Sequence, residues 1–285
     1  MDVLQILVNG LLLGSLYACI AVGFSLVWGV LNVINMLHGS FIVLGGYLAF
    51  FAWRDLGLHP LVSLAGIAAL LFAVGWALQF GLINRIVARP VLATLTLTFG
   101  LDMIVYNVMT LSFTATPRRV VLDLGVLNLG VVVPVDRIIA MVLALALTGL
   151  LFYVLRASTL GRAIVAVRMD RDAAALMGIR VEHIYAVTFG IGALMAGACG
   201  SLLAVVYPVT TMMADQFLGK AFVVCVIGGL GSVPGALAGG LALGLIESVS
   251  GHLVGPQHAM TIGFSLMILL LMTRPTGLLG TRGYE

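Results

Sequence analysis

Asp102 and Glu247 are acids that fall deep inside apolar runs, and Asn32, Asn35 and His38 recur at helical i, i+3, i+6 spacing directly before Gly39. Burying an unpaired polar group costs several kcal/mol, so each of these positions implies a partner or a wet cavity. An acid at such depth is either a solute- or proton-facing group or half of a buried pair, and both readings stand for Asp102 and for Glu247. Asn32, Asn35 and His38 share roughly one face if their segment is helical. They either line a pathway or form a polar hinge that satisfies broken-helix backbone, with Gly39 allowing a close turn. His38, Asp102 and Glu247 do not add up to a catalytic set, and the chain has no GxSxG or HExxH pattern. Gly219-Lys220 is followed by Ala221, and Ala214 stands where a phosphate-binding loop needs glycine. Gly190-Ile191-Gly192 lies inside an apolar run with no strand before it. The expectation is a chain with no catalytic or metal-ligating residues that binds neither ATP nor nucleic acid by itself.

One stretch looks soluble. Leu155 to Val181, LRASTLGRAIVAVRMDRDAAALMGIRV, packs five arginines between long apolar segments, and its charged, helix-capable character fits a surface gripped by a cytosolic partner. Its bland reading is a solvated, positively charged loop. The chain as a whole is 62% hydrophobic and 9% charged over 285 residues, against about a quarter charged in soluble proteins, so it is a membrane protein. The sequence predicts one transmembrane domain over 1–285, all-α and polytopic, with about eight or nine membrane or half-membrane helices and room for no sizeable domain outside the bilayer. Met1-Asp2-Val3 lacks a basic n-region, so the first apolar stretch is expected to stay as a helix. Cys19, Cys199 and Cys225 lie in separate apolar runs without ligand spacing and read as packing residues.

Nine apolar runs position these groups: Val3 to Val30, Phe41 to Trp53, Leu61 to Ile83, Val91 to Phe113, Ile138 to Leu155, Ile184 to Val206, Leu218 to Leu230, Ala236 to Val249 and Met260 to Thr273. The second, seventh and eighth are near 13 or 14 residues, about 20 Å of helix against a hydrocarbon core of about 30 Å, and so cannot be straight independent crossings. Short glycine-interrupted segments predict broken helices along a solute path. Arg85 and Arg89, the 156–180 cluster, and Arg274 with Arg282 mark the cytoplasmic loops. By parity the 114–137 loop is external despite Arg118, Arg119 and Arg137, and the N-terminus is external if all nine runs cross. Gly10 with Gly14, Gly235 with Gly239 and Gly240 with Gly244 predict close helix packing. Gly39-Ser40 ahead of Gly45-Gly46 faintly echoes Gly231-Ser232 ahead of Gly239-Gly240.

Three blocks resemble the LivH-type permease subunits of bacterial ABC importers for branched-chain amino acids, and the resemblance covers nearly the whole chain. Gly29 to Gly39, GVLNVINMLHG, is similar to the family's G-x-x-x-x-I-N-x-x-H-G; Gly161 to Ile179, GRAIVAVRMDRDAAALMGI, is similar to its coupling loop and is the most specific block; Gly228 to Gly244, GGLGSVPGALAGGLALG, is similar to its glycine-rich late segment. The resemblance implies an inner-membrane subunit that pairs with a second, LivM-like permease, two cytoplasmic ATPase subunits that bind ATP and Mg, and a periplasmic solute-binding protein, all set in membrane lipid. It implies that Thr159, Gly161, Arg162, Ala163, Asp170, Ala173, Ala174, Gly178 and Ile179, within a coupling loop at 156–183, dock into an ATPase groove. In that reading Arg162 and Asp170 make the polar contacts and Gly178 ends the docking helix. Asn32, Asn35, His38, Gly39, Asp102 and Glu247 are the pathway candidates. The chain departs from the pattern at Ser40, Met36-Leu37, Asp102 and Val165, mostly in that pathway, so amides, urea or small carboxylates join branched-chain amino acids as solutes. The rival reading is a self-sufficient channel or ion-coupled carrier using Asp102 or Glu247.

Overall fold

A computed structural model describes residues 3–87, 89–122, 124–128, 131–274 and 276–280. Met1, Asp2 and Arg282 lie outside them. The described chain forms α1 (Val3–Leu31), α2 (Leu37–Leu56), α3 (Pro60–Gly81), a single 3-10 turn (Ile83–Arg85), α4 (Val91–Phe113), a hairpin of β1 (Val126–Asn128) and β2 (Val132–Pro134), α5 (Val135–Ala157), α6 (Thr159–Met169), α7 (Arg171–Leu176), α8 (Val181–Val206), α9 (Met213–Gly228), α10 (Val233–Leu253) and α11 (Pro256–Thr273). Seven of the helices, α1, α3, α4, α5, α8, α10 and α11, are long and apolar enough to cross a membrane. The protein is an all-α polytopic membrane protein, and the antiparallel hairpin in the 114–137 loop is an addition the sequence reading did not contain.

α1 and α8 form the centre, buried over most of their length, while α3, α4, α5 and α11 are exposed on their outer faces and present apolar side chains to lipid. α10 lies antiparallel on α1: Gly10 meets Leu245, Gly14 meets Leu241, and Gly240 meets Ala18. The Gly10–Gly14 and Gly240–Gly244 spacings therefore face each other, whereas Gly235 and Gly239 pack on Gly228 and Val224 of α9. A Cβ added at Gly14 would stand 2.8 Å from the Leu241 Cα and 3.0 Å from the Gly240 carbonyl oxygen, with no flexible atom to give way. Gly14→Val should cost about 1–3 kcal/mol through overpacking. A melting curve of the detergent-purified protein unchanged from wild type would contradict this.

The ends of the bundle follow from the same contacts. Gln5 bonds β2 at Val132 at one end, whereas Gly29 touches Gly231 at the other, beside Arg168 of α6. Among the described residues that second end gathers Arg85, Arg89, Arg156, Arg162, Arg168, Arg171, Arg180 and Arg274, and the hairpin end has Arg54, Arg118, Arg119 and Arg137. The α6–α7 end is therefore cytoplasmic.

Two helices do not begin at a membrane surface. His38 in the first turn of α2 reaches the carbonyl of Ile20, which stands 11 residues before the end of α1 at Leu31. At 1.5 Å per residue that is about 16 Å inside the cytoplasmic boundary, the middle of the core. Residues 32–36 form no helix and connect the two levels, with Asn32 at φ +52° and Met36 in a turn. α9 starts at the same depth, because Ala214 in its first turn packs on Gly39. The broken-helix expectation thus holds for the second and seventh runs, although α2 is longer than the 13 apolar residues indicated. α10 departs from it as an uninterrupted span of 21 residues, since Pro234 sits at its N-terminus and Ser250 and His252 extend it past the apolar run.

Candidate functional site: two helix starts at mid-membrane

Both half-membrane helices start without a cap. Met36 and Met212 occupy the N-cap positions of α2 and α9, and neither has a side-chain oxygen to receive the first-turn N–H groups. Turn carbonyls stand in for the missing side-chain caps, with His38 N–H bonding the Asn35 carbonyl at 3.3 Å and Met213 and Ala214 N–H bonding those of Thr210 and Thr211 at 3.1 and 3.3 Å, and each helix presents the positive end of its dipole to the middle of the membrane. The two starts touch. A Cβ on Gly39 would collide with the Ala214 carbonyl, so glycine is required here for close approach between helices and not for a turn as the sequence suggested. The left-handed residue is Asn32, at φ +52°, a conformation asparagine tolerates.

Around this junction lie the polar groups that the sequence singled out. Ser40 in the first turn of α2 donates to Asp102 Oδ1 at 2.5 Å. Asn35 is fully buried, and neither its amide nitrogen nor its oxygen has a hydrogen-bond partner among the described residues. His38 Nε2 lies 3.0 Å from the Ile20 carbonyl; since a carbonyl only accepts, Nε2 carries the hydrogen, and Nδ1 has no partner among the described residues. Thr211, just ahead of α9, is also buried with an unpartnered hydroxyl. A buried polar group left unpaired costs about 1–3 kcal/mol, and Asn35, His38 and Thr211 each carry a buried polar atom that the described residues leave unpaired. Because residues 32–36 are not helical, Asn32 does not share a face with Asn35 and His38. It is exposed on the cytoplasmic side and lines a cavity there.

Residues the sequence reading missed complete the site. The few buried residues of α4 are Thr94, Thr98, Asp102 and Met109, so three polar residues at i, i+4, i+8 form one stripe. Thr98 donates to the Ile34 carbonyl at 2.9 Å, fastening the non-helical segment, and Thr94 lines the cytoplasmic cavity. The stripe leads from that cavity to Asp102 at mid-depth. Its signal was the fourfold spacing of polar residues in an apolar run. In the first turn of α9, Asp215 lies within electrostatic reach of Asp102, and Asp215 and Gln216 are exposed on the isolated subunit. An ionisable residue at that depth faces a partner or a water-filled cavity, not lipid.

Glu247 belongs elsewhere. Its Oε2 lies 2.9 Å from Lys220 Nζ and accepts a hydrogen bond from Tyr17 at 2.7 Å, while Lys220 is also 2.6 Å from the Tyr17 oxygen, so α1, α9 and α10 are tied by a buried polar triad. Of the two readings open for it, the structure supplies the pair. Lys220 was read only as a failed phosphate-loop residue.

The cytoplasmic block folds as two short helices. Ser158 caps α6 by accepting from the Gly161 N–H at 2.9 Å, and Gly161 fits where any side chain would strike the carbonyl of Leu155. Asp170 caps α7, accepting from the N–H groups of Asp172 and Ala173 at 2.9 and 3.0 Å, so one carboxylate oxygen is committed within the chain. Gly178, at φ +84°, ends α7 as its identity predicts: Gly178 N–H bonds to the Ala175 carbonyl and Ile179 N–H to that of Ala174, the paired bonds of a left-handed C-cap. Thr159, Arg162 and Ala173 are exposed, Ala163 and Ile179 half-buried and Ala174 buried. The most prominent surface is apolar, with Met169, Leu176 and Met177 at 80%, 89% and 83% exposure.

Half-membrane helices meeting at mid-depth inside a bundle of full spans define a multi-pass transport subunit of the inner membrane. Residues 6–273 match the family described as "Branched-chain amino acid transport system / permease component", and the chain belongs to that family. It is 37% identical to the high-affinity branched-chain amino acid transport system permease protein BraD of Pseudomonas aeruginosa and 34% identical to LivH of Escherichia coli K12, in each case over 97% of this chain and 95% of the relative. A probable branched-chain amino acid transport permease protein LivH of Methanocaldococcus jannaschii is 25% identical over 97% of this chain and 92% of its own length. No solved structure matches the chain.

Proposed function

We propose that this permease moves branched-chain amino acids, or a related small polar organic solute, into the cytoplasm as half of the membrane portion of an ATP-driven importer. The observation that carries this reading is the pair of uncapped helix starts meeting beside Asp102 at mid-membrane. Two positive dipole ends suit the carboxylate of an amino acid, and the acids Asp102 and Asp215 suit its ammonium. Asp215 and Gln216, exposed at the same depth, face a second homologous permease across the pathway. Two cytoplasmic ATPase subunits bind ATP and Mg and seat the α6–α7 segment, and a periplasmic binding protein delivers the solute at the hairpin end. ATP binding shifts the population of outward- and inward-open arrangements, and the unpartnered groups at Asn35, His38 and Thr211 are wetted in one of them. Glu247, neutralised by Lys220, holds α9 in place in this reading.

A cysteine at Asn35 in a background lacking Cys19, Cys199 and Cys225 tests the path. It should react with a small water-soluble thiol reagent, and the rate should change when ATP is supplied to the assembled transporter. No reaction in either state, with transport intact, would make Asn35 a structural group. The rival is an ion-coupled carrier working through Asp102. In the importer, Asp102→Asn changes affinity or rate and leaves uptake running on ATP; in the carrier, uptake ceases with the substitution and on collapse of the proton gradient while ATP stays high.

A further inference from the structure

The cytoplasmic end of α9 is capped from far along the chain. The last four carbonyls of a helix lack partners within it, and helices commonly satisfy some of them with N–H groups of the residues that follow directly. Here Gly229 N–H bonds the Cys225 carbonyl, and the chain then turns away at Gly229, φ +106°. The carbonyls beyond are met by the tail that follows α11: Leu278 N–H bonds that of Ile227 at 2.8 Å, and Leu279 N–H that of Gly228 at 3.0 Å. The tail is shaped for this place. Gly277 N–H bonds the Arg274 carbonyl at 3.0 Å, and Gly277, at φ +75°, is buried between exposed neighbours. A Cβ there would stand 2.6 Å from the Gly229 nitrogen and 2.7 Å from the Val226 oxygen, and one on Gly229 would stand 2.5 Å from the Gly280 nitrogen. Gly229 thus lies backbone to backbone with Gly277 and Gly280, with no room for a side chain between them.

The same end of α9 meets the cytoplasmic segment. Gly231, in the turn between α9 and α10, packs on Gly29 near the end of α1 and stands beside Arg168 of α6. From this turn α9 runs unbroken to Ala214, which packs on Gly39 at mid-depth. We propose that residues 276–280 are a strap that makes α9 a rigid lever in the transport cycle. Seated, the strap holds the last turn of α9 and the turn at 229–232 as one body, so a displacement of α6 reaches the helix starts at mid-membrane. Unseated, the same displacement is absorbed by the glycines of residues 228–231. The source of the displacement rests on the importer reading above; the hold of the strap on α9 does not.

Two substitutions unseat the strap by different routes. Leu278→Pro removes the N–H that bonds Ile227, and Gly277→Val fills the space beside the Gly229 backbone, whereas Leu278→Ala keeps the N–H and trims only a half-exposed side chain. In the assembled transporter in proteoliposomes, Leu278→Pro and Gly277→Val should still bind the ATPase subunits and hydrolyse ATP, while solute moved per ATP falls about tenfold and Leu278→Ala stays within about twofold of wild type. Hydrogen exchange of the purified permease, which needs no ATP, should quicken about tenfold in Leu278→Pro both at 222–229 and at 213–217. A wild-type ratio of solute to ATP in either unseating variant overturns the proposal, even where membrane abundance falls. Failure of both variants to accumulate overturns it too, by making the tail a folding element, as does loss of the ATPase subunits from the complexes. Wild-type uptake that ignores ATP would sink the importer reading and leave the strap to the exchange measurement. Unchanged exchange at 213–217 would then overturn the lever.

Discussion

Lys220→Met should leave almost no folded permease in the membrane, and adding Glu247→Leu to it should bring much of the protein back. The lysine is the only cation beside Glu247 among the described residues, with side-chain exposures of 18% and 9% for the pair. Its ammonium also sits 4.4 Å from the centre of the Tyr17 ring, so removing it breaks an ion pair, a hydrogen bond and a cation–π contact together. Stranding one partner of a buried pair costs about 3–5 kcal/mol, against total stabilities of about 5–15 kcal/mol. Replacing both charges by apolar groups avoids the stranded carboxylate and is often neutral. Membrane abundance and melting temperature of the single and double variants decide it. A single variant as abundant and as stable as wild type would mean that Glu247 has solvent or another partner in the membrane.

Leu176→Asp combined with Met177→Asp should abolish association with the ATPase subunits while the permease still inserts at normal levels. Full burial of a leucine or methionine side chain is worth about 1.5–3 kcal/mol, and placing a charge in the same pocket adds its desolvation. The double change thus costs more than about 3 kcal/mol, over a hundredfold in Kd. Arg162→Glu, on exposed α6, reverses a charge at the same face and should act in the same direction. Co-purification of tagged ATPase with each variant is the measurement. Intact complexes that transport at the wild-type rate would show that α7 is not the grip.

The sequence made the periodic parts of this structure readable and left the junctions obscure. Nine apolar runs correspond to the nine longer helices, and the α1–α10 glycines meet as their spacing implies, because both features are written in local composition. Gly178 was legible for the same reason: a glycine after a short alanine-rich helix has one common use. The start of α9 was not legible. Residues 207–217 look like a surface loop when read alone, and only the contact of Ala214 with Gly39 puts them at mid-depth. Gly39 was given the conformational role that glycine most often has, whereas here the backbone of another helix needs the space. Lys220 and Glu247 lie 27 residues apart on different helices, so their pairing is a tertiary fact that no spacing rule contains. Asp170 was read as a contact for another protein, yet its nearest task, capping α7, was visible in the run Asp170 to Ala173.

The antiparallel seam between α1 and α10 also sets the order in which the protein can be made. Gly10 meets Leu245, so α1 leaves the ribosome some 235 residues ahead of its partner on α10. At about 5–20 residues per second, that interval is roughly 10–50 s. Throughout it the glycine face of α1 has only lipid or a biogenesis factor to lie against, and α2 follows it with an uncapped start already placed at mid-depth. A nascent chain stopped anywhere before α10 therefore holds its future core turned outward, which makes the unfinished permease a natural target for membrane quality-control proteases even when every helix made so far has inserted correctly.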